Sequence, residues 1–398
     1  MDNEMEREQI AEMLVLAGLT YRGALDPLTG AVHAGNVEQA VTAGLAAYAP
    51  RWQLVWGPAT DRKAELFDTS AMYVARGGDS EQYVIAVRGT NPVSASDWLR
   101  GDLIVATTVK WPFGNDGAAV STSTALGLRS LLRLRSGPPS TLSFARRLFG
   151  RVLGAIGMAA TKIPTLEPAI AIGFHQLLAT RLNALIAEAG IPGNLGKLLA
   201  AVSQVSPQDI EAPKTGAPAD PQTLFEFLAA RSSTPLRIVV TGHSKGGALA
   251  PVLALWLKET QAPHGDNRGW DNCGQATIRC VTFAGPTPGN AAFAKRIESE
   301  LLDHHRIANT RDIVTHAWEE QQLAALGRLY PSFAPLFSRA ASDLASIDYR
   351  HAGTGVVSFS GQPASKDFVL EVIHQHLDAY LIEFSLHDRI KAATFFIG

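Results

Sequence analysis

The chain has 398 residues, 46% hydrophobic and 18% charged, with Lys+Arg 35 against Asp+Glu 37 and only two cysteines. So apolar and evenly charged a chain is excluded from the disordered class, and it has no basic excess with which to coat a nucleic acid or an anionic membrane. Cys273 and Cys280 are too few for a disulfide framework or a four-thiolate metal site and read as free core thiols.

The start, Met1 to Glu8, is acidic where a Sec-type signal needs a positive segment and then an apolar run. The expectation is a cytoplasmic protein or one exported by a signal-independent route. Ile10 to Leu19 has helical apolar spacing. Gln82 to Val87 is short and β-branched and ends at Arg88-Gly89-Thr90, so it reads as a buried strand. Two more such strands, Leu236 to Val240 and Thr277 to Phe283, are each followed by a glycine-bearing turn. Helical patterns come next, at Ala248 to Leu257 and Ala291 to Leu302. Strands alternating with helices predict an α/β fold with a mainly parallel sheet flanked by helices.

The stretch 112–234 between the first and second of these strands reads as a helical insertion within a single domain, a lid or cap. Its apolar runs inside Phe144 to Leu185 are shorter than the ~20 residues needed to cross a bilayer. They read as buried helices, as a mobile apolar cover, or as a transient contact with a lipid interface.

Gly242-His243-Ser244-Lys245-Gly246 stands directly after a β-branched strand and before an alanine-leucine helix. That is the context of a nucleophile elbow, in which a serine on a strained turn is lifted to the sheet edge and glycines two residues either side admit close backbone approach. Ser244 is the candidate nucleophile. It needs a base and an acid to orient that base, and both should lie downstream. Asp312 ends a short strand pattern in a turn and is favoured over Asp266, Asp271 and Asp303. Beyond the His304-His305 pair that precedes the acid, the histidines past Asp312 are His316, His351, His374, His376 and His387. His376 is the first choice, at the start of the terminal helix, and His374 the second. Oxyanion donors are expected from the Lys245 backbone N–H and from Thr90. No metal or organic cofactor is required.

Taken together, Arg88-Gly89-Thr90 with Asp97-Trp98 and Asp102, the segment Gly242 to Ala250, Thr282-Phe283-Ala284-Gly285-Pro286 with Gly289-Asn290, and Asn309 with Asp312-Ile313-Val314 resemble, in order, the blocks of class 3 lipases. The resemblance implies an α/β-hydrolase fold and hydrolysis of carboxylic esters of lipids. It also implies Ser244 as nucleophile, Asp312 as acid, a C-terminal histidine as base and Thr90 in the oxyanion hole. Two departures stand out: Ile313 and Thr315 occupy the places of a usual proline, and the glycine and alanine before Pro286 are exchanged. The expected partner is a small or aggregated lipid ester. Phospholipase or acyltransferase chemistry with the same triad is the alternative, and a non-catalytic lipid- or partner-binding protein is the rival from another class.

Overall fold

The computed structural model describes residues 2–22, 34–60, 71–78, 81–89, 105, 107–136, 206–211, 222–263 and 268–391. Seven strands form one sheet in chain order: β1 (Trp52–Thr60), β2 (Ala71–Gly77), β3 (Gln82–Val87), β4 (Arg237–His243), β5 (Thr277–Phe283), β6 (His304–Asn309) and β7 (Gly355–Phe359). The first two pairings are antiparallel and the remaining four parallel. This is the mainly parallel α/β architecture expected from the alternating strand and helix patterns. β1 and β2 were not expected, because Gly57-Pro58 breaks the β1 alternation. An edge strand tolerates that interruption.

Successive side chains leave the sheet on opposite faces, and two apolar cores result. On one face Val74, Ile85, Ile238, Val240 and Cys280 share a core with the central helix Lys245–Glu259 and with helix Thr122–Arg133. On the other, Tyr73, Val84, Val239, Val281 and Ile307 share one with the N-terminal helix Asp2–Leu19 and the C-terminal Leu377, Tyr380 and Leu381. The central helix is buried from Gly246 through Leu257, as a helix apolar on every side must be.

The ends of stretch 112–234 are sewn into the first core. Ala119–Ser121 pairs with Thr108–Lys110, and Arg135–Ser136 with Gln222–Thr223. Trp111, Val120, Leu128, Phe225 and Phe227 are core residues. Such ribbons of two or three residues are too short to show a period in sequence. Phe144 to Leu185 lies outside the described residues. Cys280 is buried, whereas Cys273 is half-buried and donates to Asp271 Oδ1 at 3.3 Å.

Candidate active site

The turn between β4 and the central helix is a single residue, Ser244, at φ 61° and ψ −130°. A non-glycine residue there is strained and persists only where its surroundings hold it. Part of that hold comes from β5, whose Phe283 carbonyl accepts the Ser244 N–H at 3.0 Å. The rest is close backbone approach. A Cβ on Gly242 would sit 2.5 Å from the Gly246 carbonyl carbon, and one on Gly246 would sit 2.9 Å from Arg88 C and Gly89 N. The end of β3 therefore runs against the elbow. Lys245 is the first residue of the helix, so its N–H has no intrahelical acceptor and adds to the positive end of the helix dipole. Thr90 lies outside the described residues.

Asp312 follows β6 and is fully buried. Its Oδ2 faces His376 Nδ1 at 2.9 Å and accepts from the Tyr380 hydroxyl at 3.2 Å, while Oδ1 accepts the Val314 N–H at 2.9 Å. A buried carboxylate needs such donors to stay charged. The carboxylate in turn requires the proton of His376 on Nδ1, which leaves Nε2 as the free acceptor. His376 sits in a π-turn, His374–Asp378, and its ring packs on that of His243, the neighbour of Ser244, with centroids 4.8 Å apart. π-turns recur at functional sites because the extra residue re-aims a side chain.

The other candidates stand elsewhere. His374 turns to Asp378, 3.7 Å away on its own helix. His316 Nδ1 meets the Asp312 main-chain carbonyl at 2.7 Å, His351 Nε2 lies 3.4 Å from Thr287 Oγ1, and His387 is beside Asp388. Asp271 accepts from Gln261 and the Ala276 N–H, Asp303 pairs with Arg279 and His305, and Asp266 is outside the described residues.

A polar scaffold behind the acid escaped the sequence reading. Buried Asn309 donates from Nδ2 to the Gln375 carbonyl and Oε1, both at 2.8 Å, and its N–H donates to the Tyr380 oxygen at 3.0 Å. Gln375 Nε2 donates on to Glu371 Oε1 at 2.9 Å. Burial and then the Asp312 charge raise the Tyr380 phenol far above its ordinary pKa, so it remains a donor. Asn309 is one of the residues carrying the family resemblance; Gln375 and Glu371 had no signal beyond polarity within a helical stretch.

Among the described residues no three His, Cys, Asp or Glu are placed to hold a metal ion, and no helix is long and apolar enough to cross a membrane.

Residues 221–321 match the family model of the class 3 lipases. The crystal structure of M37 lipase is similar over 98% of this chain and 96% of that one, at 25% identity and a TM-score of 0.68. The Lipase-like PAD4 of Arabidopsis thaliana is 33% identical over 86 residues, and the chloroplastic phospholipase A(1) DAD1 of the same plant is 29% identical over 96. Those matches span 14% and 19% of the two plant proteins. The α/β-hydrolase fold follows from the M37 likeness together with the sheet described above.

Proposed function

We propose that the protein is a serine hydrolase acting on carboxylic esters of lipids. One observation carries the reading: a fully buried carboxylate, Asp312, holds Nδ1 of a histidine whose ring lies against the residue preceding an elbow serine. In this reading Nε2 of His376 takes the Ser244 proton as Oγ attacks the ester carbonyl, and Asp312 stabilises the imidazolium that results. The Lys245 N–H, with Thr90, stabilises the oxyanion. His376 returns the proton to the leaving alkoxide, and water then releases the acyl group by the same route in reverse. Since the carboxylate already orients the ring and the dipole already points at the developing charge, little reorganisation accompanies the reaction.

The test is labelling of the whole chain by a fluorophosphonate, with p-nitrophenyl ester turnover measured alongside. Ser244→Ala should lose both, and His376→Ala should lose several powers of ten where His374→Ala loses little. Retained turnover in Ser244→Ala would sink the assignment. The likeness to a phospholipase A(1) motivates a second reading, the same chemistry on phospholipid. Product analysis with triglyceride against phosphatidylcholine, in the presence of an added alcohol, separates lipase, phospholipase and acyltransferase.

A further inference from the structure

Tyr21 follows the N-terminal helix, far in sequence from every block that carries the family resemblance. Its phenol is buried at the centre of the site's framework. The hydroxyl lies 3.1 Å from the His243 carbonyl and 3.3 Å from His243 Nδ1, and Gly89 packs directly against the same oxygen, with no room between them for a Cβ. His243 is itself fully buried, and its Nε2 meets the His376 carbonyl at 2.9 Å. A carbonyl can only accept, so His243 carries its proton on Nε2 and leaves Nδ1 as an acceptor. The tyrosine proton is shared between that nitrogen and the His243 carbonyl.

This chain of contacts joins three parts of the site, of which the sheet itself locks only two: β3 pairs with β4, Val87 opposite Gly242, whereas the base lies outside the sheet. Gly89 follows β3 and precedes Thr90 in the chain, His243 is the last residue of β4 before Ser244, and His376 is the base on its π-turn. The His243 contact therefore reaches the main chain of the π-turn at the base itself. Resting on the hydrolase reading above, we propose that Tyr21 and His243 are positioning residues: together they set the base and the chain at Gly89 relative to Ser244, with an N-terminal residue outside the stretch that matches the class 3 lipase model completing the site. Burial, and then the charge on His376, keep the His243 pKa well below its ordinary value. Its neutral ring therefore adds no repulsion when His376 becomes cationic.

The experiment compares the whole protein with Tyr21→Phe, His243→Gln, His243→Leu and the Tyr21→Phe/His243→Leu double variant. The readouts are kcat, KM, the rate of fluorophosphonate labelling and the thermal midpoint. Misplacing a reacting group by about 1 Å can cost about 100-fold. Tyr21→Phe is accordingly expected to lose about tenfold in kcat and in labelling rate with KM unchanged. His243→Leu should lose about 100-fold, and His243→Gln, whose amide still reaches the His376 carbonyl, should recover most of it. In the Leu background the tyrosine change should add less than about twofold, since the relay is already broken.

Wild-type kcat in folded Tyr21→Phe overturns the proposal, as do strictly additive effects or a Gln variant no better than Leu. Should His243→Leu not fold, Tyr21→Phe and His243→Gln still decide. A wild-type protein that no fluorophosphonate labels refutes the hydrolase reading instead, and so separates the two failures.

Discussion

The two halves of the site are held by different means. At the elbow the geometry is made by backbone: strained dihedrals at Ser244, two glycines without Cβ atoms, and a main-chain bond to β5. At the base it is made by side chains, with Asp312, Asn309 and His243 hydrogen-bonded across long stretches of chain to His376, Tyr380 and Gln375. A backbone device tolerates almost no added atom. A side-chain device tolerates volume but fails when one donor or acceptor changes kind.

That contrast can be broken at either end, and the largest effect should be at the acid. Asp312→Asn keeps the shape but removes the preference for the Nδ1–H tautomer, and kcat should fall by roughly 10⁴, measured with a p-nitrophenyl ester on protein of native circular dichroism. Gly246→Ala should instead lose the fold, because its Cβ would meet the Arg88 and Gly89 main chain at 2.9 Å. A destabilisation of about 3 kcal/mol or more by urea unfolding is expected there.

Acid should weaken the structure through its neutral buried histidines. Burial, and then the nearby Arg306 and His305 charges, push His304 down to about 3, below its unfolded value of about 6.5. Its contribution is therefore present above pH ~6.5 and is lost as pH falls from there toward 3, at about 1.4 kcal/mol per pH unit. His304→Gln should flatten the pH dependence of the unfolding midpoint over that window. The smallest effect belongs to Ala284, which sits at φ 54° where the family pattern has glycine. Ala284→Gly should stabilise by about 1 kcal/mol, read as a rise in Tm. The neighbouring Gly285 has no such freedom, since its Cβ would lie 2.6 Å from the Gly247 carbonyl carbon.

The same contrast explains what could be read from the sequence. The elbow is written in five consecutive residues, so strand, turn, serine and helix were legible before any coordinates. Asp312 was legible because a strand pattern ends just before it. The histidine was narrowed to His376 and His374 but not decided, because the choice depends on a π-turn that no periodicity announces and on Asn309, Gln375 and Tyr380 meeting across more than sixty residues of chain. β1 and β2 were missed through an interrupted alternation and short, small-residue content, and the ribbons at the ends of 112–234 through brevity.

One feature of the sheet also bears on how the molecule assembles in time. Its strands lie in chain order, yet β3 and β4 are separated by residues 88–236, the longest connection between neighbouring strands. Closing that loop is the entropically dearest pairing in the sheet, and pairings of large sequence separation are the slow ones. Gly89 and Ser244 stand just past the C-terminal edge of that pairing, where Val87 lies opposite Gly242, so catalytic competence should return only with the last strand registry to form. In refolding from urea, recovery of esterase turnover should trail the recovery of helical circular dichroism.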